Sequence, residues 1–236
     1  MRRILILLFL FISLNYSQNI PFKVGEQLTY TLRFNIIKMG HGYLSVESID
    51  TISGIQSYRV KFRAKTSKFA DKIFRVRDQI DIWLNKNDLT TLKINKQINE
   101  GKYHRKYYTS IDYNNLIAIT NKDTVNITGT VRDPYSLLYY FRTIPLKSGE
   151  ILDFTTFDQN KLTDFRVIVD GKQTIETPAG KFSCIIIKPF REGKTLLKNE
   201  GDMKIWFSSD ELRLPVQIQI KLKYGSMLLQ LRTINL

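Results

Sequence analysis

From Gln27 onward, apolar and polar residues alternate with a period of two, in short runs separated by turn-forming residues. Leu28, Tyr30, Leu32 and Phe34 share one face of a run over 27–36, and a second run over 42–49 is carried by Tyr43 or Leu44. Tyr58, Val60, Phe62 and Ala64 line a third over 57–65, and Phe74, Val76, Ile80, Ile82 and Leu84 mark a fourth over 74–84. Similar runs follow at 91–99, 102–112, 116–120 and 124–128, then at 151–157, 164–169, 181–189, 203–207, 216–224 and 227–234. Side chains alternate across a strand, so closely spaced runs of this kind predict a meandering antiparallel sheet. The expected fold class is all-β: a curved antiparallel sheet, half-barrel or barrel-like sandwich. Turns are predicted at Asp170-Gly171, at Pro178-Ala179-Gly180 and over Ser208 to Glu211.

One segment breaks the alternation. Asp133 to Arg142 reads as a helix, with Asp133 placed to cap the free N–H groups and Pro134 suited to the first turn. Leu137, Leu138 and Phe141 fall on one face, and Pro145 ends it. This is expected to be the one long helix.

The two sides of that helix echo each other. Phe22 to Tyr30 matches Leu146 to Phe154 at an offset of 124, through a shared Lys-x-Gly-Glu. Ile82-Trp83-Leu84 matches Ile205-Trp206-Phe207 at an offset of 123, and Gly54 and Ser57 align with Gly180 and Ser183. Ordered echoes at a nearly constant offset predict two similar halves, at about 20–130 and 144–236, with the helix near 133–143 between them. Neither half has an obvious cover for both faces of its sheet, so they are expected to share one core in a single domain over 19–236.

The ends and the charge add a compartment. Met1-Arg2-Arg3 followed by the apolar run Ile4 to Leu14 and a polar exit through Ser17 has the form of a secretory leader over 1–18. The run is too short for a membrane span, and no later stretch is long and apolar enough for one. The expected location is therefore outside the cytoplasm: periplasmic, associated with the outer membrane, or secreted. The formal charge is +14, and removal of Arg2 and Arg3 lowers it to +12. The cations are spread along the chain, so no nucleic-acid partner is expected. A basic surface favours an anionic amphiphile or glycan, or an envelope protein as partner.

Chemistry is sparse. Cys184 is the single cysteine and sits in an apolar run, which predicts an inert core thiol without a disulfide. His41 and His104 lie in no paired metal-binding spacing, and no phosphate loop or nucleophile elbow occurs, so neither a catalytic residue nor a metal nor a cofactor is expected. Asp78 and Asp81, three apart on a strand, point to opposite faces. The most suggestive cluster joins Arg75 and Arg77, expected on one strand face, with Arg132 and Arg142 near the helix. Two arginines on one face suit a phosphate or carboxylate. Asp78 and Asp133 are the expected partners in structural ion pairs. Tyr139, Tyr140, Trp83 and Trp206 are candidates to line an apolar pocket, against the alternative that they are core.

Several of these segments together resemble a known family: Pro21 to Glu26, Phe74 to Asp78, Asn99-Glu100-Gly101, Asp133 to Arg142, Thr177 to Phe182, Ile205 to Asp210 and Arg213 to Val216. As a set they resemble the exported bacterial family known as domain of unknown function 3108, over essentially the whole chain after the leader. The resemblance implies export and a mostly β fold and supplies no catalytic residues. Three readings stay open: a binding or carrier protein for a lipid-like or other amphiphilic ligand, an adaptor docking on an envelope protein, and a hydrolase acting on glycan or lipid.

Overall fold

The computed structural model describes residues 20–192 and 202–236; the expected leader lies outside them. Each period-two run becomes a strand. The first group is β1 (Gln27–Phe34), β2 (Ile37–Ile52), β3 (Ile55–Thr66), β4 (Arg77–Asn85), β5 (Thr91–Glu100), β6 (Tyr103–Asp112), β7 (Ile117–Thr120) and β8 (Thr124–Asn126). After helix α1 (Ser136–Thr143) come β9 (Ile151–Asp158), β10 (Lys161–Thr177), β11 (Gly180–Phe190), β12 (Asp202–Ser208), β13 (Pro215–Leu222) and β14 (Gly225–Asn235). All fourteen form one antiparallel sheet in the order β8-β7-β6-β5-β4-β3-β2-β1-β14-β13-β12-β11-β10-β9. β1 pairs with β14, so the first and last of these strands meet in the middle of the sheet.

The sheet curls around α1 without closing into a ring. Phe62 of β3 packs on Tyr135, at 5.0 Å between ring centres, while Phe154 of β9 and Phe207 of β12 pack on Phe141 at 5.2 and 6.0 Å. The helix thus fills the space between sheet regions far apart in strand order, and its apolar face meets Leu28, Val60, Ile82, Val167 and Ile187 in one core. The edges β8 and β9 are not paired with each other. The segment after β8 crosses to β9 instead, where Arg132 makes a single parallel bridge to Thr156 and Phe157 N–H donates to the Arg132 carbonyl at 2.9 Å. A second small core of Ile111, Ala118, Ile127, Val131 and Phe157 seals that seam.

Three local expectations are corrected. Asp170-Gly171 is no turn: β10 runs straight through it, and a register shift against β11 between Val169 and Gly171 absorbs the extra residue as a bulge. The helix begins at Ser136, later than expected. Asp133 still caps the turn leading into it, since its Oδ1 accepts the N–H groups of Tyr135 at 2.8 Å and Ser136 at 3.2 Å. The strand expected from Phe74 starts only at Arg77, because a 3₁₀ turn at Ala70–Lys72 occupies the connection from β3 and leaves Phe74 and Arg75 outside the sheet.

Candidate functional site

An antiparallel meander places alternate turns at the same end. The β1–β2, β3–β4, β5–β6, β9–β10 and β13–β14 connections therefore lie at one end, called here the open end, together with the end of β11 and the start of β12. At the opposite end α1 is anchored. Arg142 forms a bidentate pair with Glu26, at 2.6 and 2.8 Å, and donates from Nε to the Leu212 carbonyl at 3.1 Å. Both charged side chains are 1 % exposed. Phe22 and Tyr139 flank the guanidinium at 5.2 and 5.8 Å.

Between α1 and the inner face of β9–β12 lies a cleft of about 600 Å³. Pro134, Leu137, Leu138 and Phe141 form its helical wall. Phe165 and Val167 of β10, Ile187 and Pro189 of β11, and Met203 and Ile205 of β12 form its floor. Its polar residues gather toward the open end: Asp158, Gln159 and Lys161 around the β9–β10 turn, and Arg191 just past β11. The lining follows from strand alternation, since Lys161, Thr163, Phe165 and Val167 share the inward face of one strand. The result is an apolar trough with cations at its mouth.

The neighbouring interior is polar. Lys96 of β5, almost wholly buried, forms an ion pair with Asp158 across the seam, and its ammonium lies 5.5 Å from the Tyr135 ring centre. Toward the open end, half-buried Asp78 of β4 and exposed Glu100 at the end of β5 lie on one face of the sheet, close enough for their carboxyl groups to interact. Burial raises the pKa of each above the usual carboxylate range, and the charge of Asp78 raises that of Glu100 further. Burial, foremost, also raises the pKa of Tyr135, with Asp158 adding to the rise.

The sequence-predicted site residues are dispersed. Arg75 is exposed on the β3–β4 connection. Arg77 is held by Asp71, with 3.0 Å from Nη1 to Oδ1 and 2.6 Å from Nη2 to Oδ2, so the two arginines form no shared fork. Asp78 forms no ion pair with Arg77; its carboxylate accepts the Asn99 N–H at 2.8 Å and meets Glu100. Asp133 is wholly buried as a cap, accepting from the Thr91 hydroxyl at 3.0 Å, and is not in an ion pair. Arg142 and Tyr139 meet each other in the core near Glu26, away from the cleft mouth.

Arg132 and Tyr140 also come together: the guanidinium stacks on the ring at 3.8 Å and donates to the Asp88 carbonyl at 2.8 Å. They border a shallower, mostly polar groove of about 660 Å³ that adjoins the cleft at Phe165 and Arg191. Trp83 lies on the outer face between Arg59 and Lys93, at 5.3 and 4.9 Å, and its indole is tied to Asp50. Trp206 is tied to Gln173. Cys184 is buried, and burial pushes its thiol up to about 11. Among the described residues no group of three or more metal-binding side chains converges.

The mouth residues Lys161 and Arg191 and the carboxyl partner Glu100 were missed from sequence. Alternation extended back by three residues from Asp164 would have placed Lys161 beside Phe165. Nothing local marks Glu100, which meets Asp78 only through the pairing of β4 and β5.

Among solved structures, the chain resembles a β-barrel-like protein of domain of unknown function DUF1849 from Brucella abortus, with 12% identity, a TM-score of 0.62, and coverage of 89% of this chain and 97% of that one. This likeness shows the barrel-like fold. A candidate lipoprotein from Parabacteroides distasonis matches with 11% identity and a TM-score of 0.42 over 90% of this chain and 96% of that one. A candidate exported protein with a YmcC-like fold from Bacteroides fragilis matches with 12% identity and a TM-score of 0.42 over 91% and 97%. No curated protein matches the chain. Residues 29–232 match the model of the family described as Protein of unknown function (DUF3108), and the chain belongs to that family.

Proposed function

We propose that this protein is an exported, non-enzymatic carrier that binds a single amphiphile in the cleft beside α1. The observation that carries the reading is the lining itself: aliphatic and aromatic side chains along the trough, with Lys161 and Arg191 at its mouth. Its volume lies within the span of about 300–1,000 Å³ typical of small-molecule sites. Apolar walls favour withdrawal of a hydrocarbon chain from water, and the cations favour an anionic head group left at the opening. These groups are suited to holding a molecule rather than transforming it. Export rests on the leader pattern in the sequence.

The test is displacement of a fluorescent fatty-acid probe from the purified protein. Saturable binding is expected. Met203→Trp, which narrows the trough from a half-buried lining position, abolishes it, while Lys161→Glu with Arg191→Glu weakens an anionic probe and spares an uncharged one of the same chain length. Circular dichroism verifies that each variant is folded. Absence of saturable binding by the wild type for any probe chain length would sink the proposal.

A further inference from the structure

The most exposed large apolar side chains are gathered on one rim. Among the described residues, Ile36 is 88% exposed, Tyr224 83%, Ile73 70% and Phe69 63%, ahead of every other large hydrophobic side chain. They sit on the β1–β2, β13–β14 and β3–β4 connections, which are neighbours at the open end because β3, β2, β1, β14 and β13 are consecutive in the sheet. Scattered exposed apolar residues need no explanation, but a set concentrated on adjacent turn tips does.

These tips are held in place rather than left loose. Asn35 N–H donates to the Ser226 carbonyl and Ser226 N–H to the Asn35 side-chain oxygen, both at 2.8 Å, which locks the Ile36 and Tyr224 turns side by side. The β3–β4 connection is fastened to the β5–β6 turn: Gly101 N–H donates to the Arg75 carbonyl at 2.8 Å, and the Phe74 ring lies against Gly101. Apolar side chains displayed in water on a built rim have a cost that a partner must offset.

The charge around them identifies the partner. Lys38, Lys68, Lys72, Arg75, Lys102 and Lys223 are all exposed on these same turns. Of the two carboxylates beside them, Asp71 is already bound by Arg77, and Glu100, the last residue of β5, is engaged with Asp78. Apolar and aromatic tips ringed by lysines match the layered chemistry of an anionic bilayer, with acyl chains below and negative head groups at the surface. A protein partner of matching shape would have to be both acidic and apolar across several separate turns.

We infer that the open end docks on the surface of an anionic phospholipid bilayer, with Ile36, Tyr224, Phe69 and Ile73 entering the interface and the lysines meeting the head groups. The cleft mouth, at the β9–β10 turn and the end of β11, belongs to the same end of the sheet. Docking therefore turns the cleft toward the lipid. The inference stands on the rim alone and does not require a ligand in the cleft.

The experiment is flotation of the purified protein with phosphatidylcholine vesicles, with and without phosphatidylglycerol. Binding is expected to vesicles containing phosphatidylglycerol and to fall steeply with added salt. Ile36→Ser with Tyr224→Ser lowers the partition about tenfold or more, as expected from the apolar area no longer withdrawn from water, with unchanged circular dichroism and thermal unfolding. A second variant, Lys68→Glu with Lys72→Glu, removes binding without touching an apolar tip. The inference is overturned if the wild type ignores phosphatidylglycerol vesicles, if it binds neutral vesicles equally well, or if the Ile36→Ser, Tyr224→Ser variant floats as the wild type does. An absence of vesicle binding leaves the rim as a protein-contact surface. Met203→Trp, which blocks the cleft, floats normally, so failure of the cleft reading and failure of docking are separately visible.

Discussion

Trp83 donates its indole N–H to Asp50 at 2.7 Å across 33 residues of chain, and the same 33 residues separate Trp206 from its acceptor Gln173 at 2.9 Å. The backbone repeats the correspondence. Gly25 N–H donates to the Val46 carbonyl and Gly149 N–H to that of Val169, at 2.9 and 2.8 Å, and a bulge follows each valine. We propose that β1–β6 and β9–β14 descend from one six-strand unit, with β7, β8 and α1 added between the copies. The acceptor is charged in one half and neutral in the other, so the two contacts differ in strength.

Trp83→Phe is therefore expected to destabilise the fold by about 1–2 kcal/mol and Trp206→Phe by less, measured by urea unfolding. The Trp83 N–H, followed by the Ser48 hydroxyl, holds the Asp50 carboxyl below its usual range. A lowered pKa contributes stability above the unfolded value that is lost as pH falls through the folded one. The difference between wild type and Trp83→Phe should accordingly narrow in acid. A constant difference across that range would contradict the assignment.

Much of this fold was legible because alternation is a local signal. Tyr58, Val60 and Phe62 declared the inward face of β3, and Leu137, Leu138 and Phe141 declared the apolar face of α1 before any contact was known. The site was harder to read because its parts come from distant strands. Lys96 and Asp158 meet across the seam between β5 and β9, and nothing near either residue announces the other. The two arginines Arg75 and Arg77 misled for a related reason: the short turn at Ala70–Lys72 delivers Asp71 to Arg77 and displaces Arg75 from the strand.

The Glu26–Arg142 pair is expected to dominate the anchoring of α1. Both charges are shut away from water, and removing one strands the other. Arg142→Met should cost about 3–5 kcal/mol, and so should Glu26→Leu, whereas the double variant should lie closer to wild type than either single one. Urea unfolding of the four proteins gives the coupling; strictly additive losses would show that the pair is not the anchor.

Gly101 is a backbone requirement. Its φ is +56°, and a Cβ there would lie 2.7 Å from the Phe74 ring. Gly101→Ala should destabilise by about 1–2 kcal/mol through strain and displacement of that ring. Adding Phe74→Ala should recover the part due to the clash and leave the part due to φ. Thermal unfolding of the single and double variants separates the two.

The Asp78–Glu100 pair makes stability depend on pH in the opposite sense to Asp50. Burial raises both carboxyl groups, and Asp78 raises Glu100 again, so the folded state holds a proton that the unfolded chain releases. A raised carboxyl pKa gives a contribution fully present below the unfolded value and lost as pH rises through the folded value. The two groups titrate as a unit, so the loss belongs to the pair rather than to either residue. Glu100→Gln keeps an N–H donor facing Asp78 and removes one of the two charges. It should match or fall slightly below wild type in stability near pH 4 and exceed it at neutral pH. Urea unfolding of both proteins from pH 4 to 8 measures the crossing. Parallel curves across that range would mean that the two carboxyl groups do not share a proton in the folded protein.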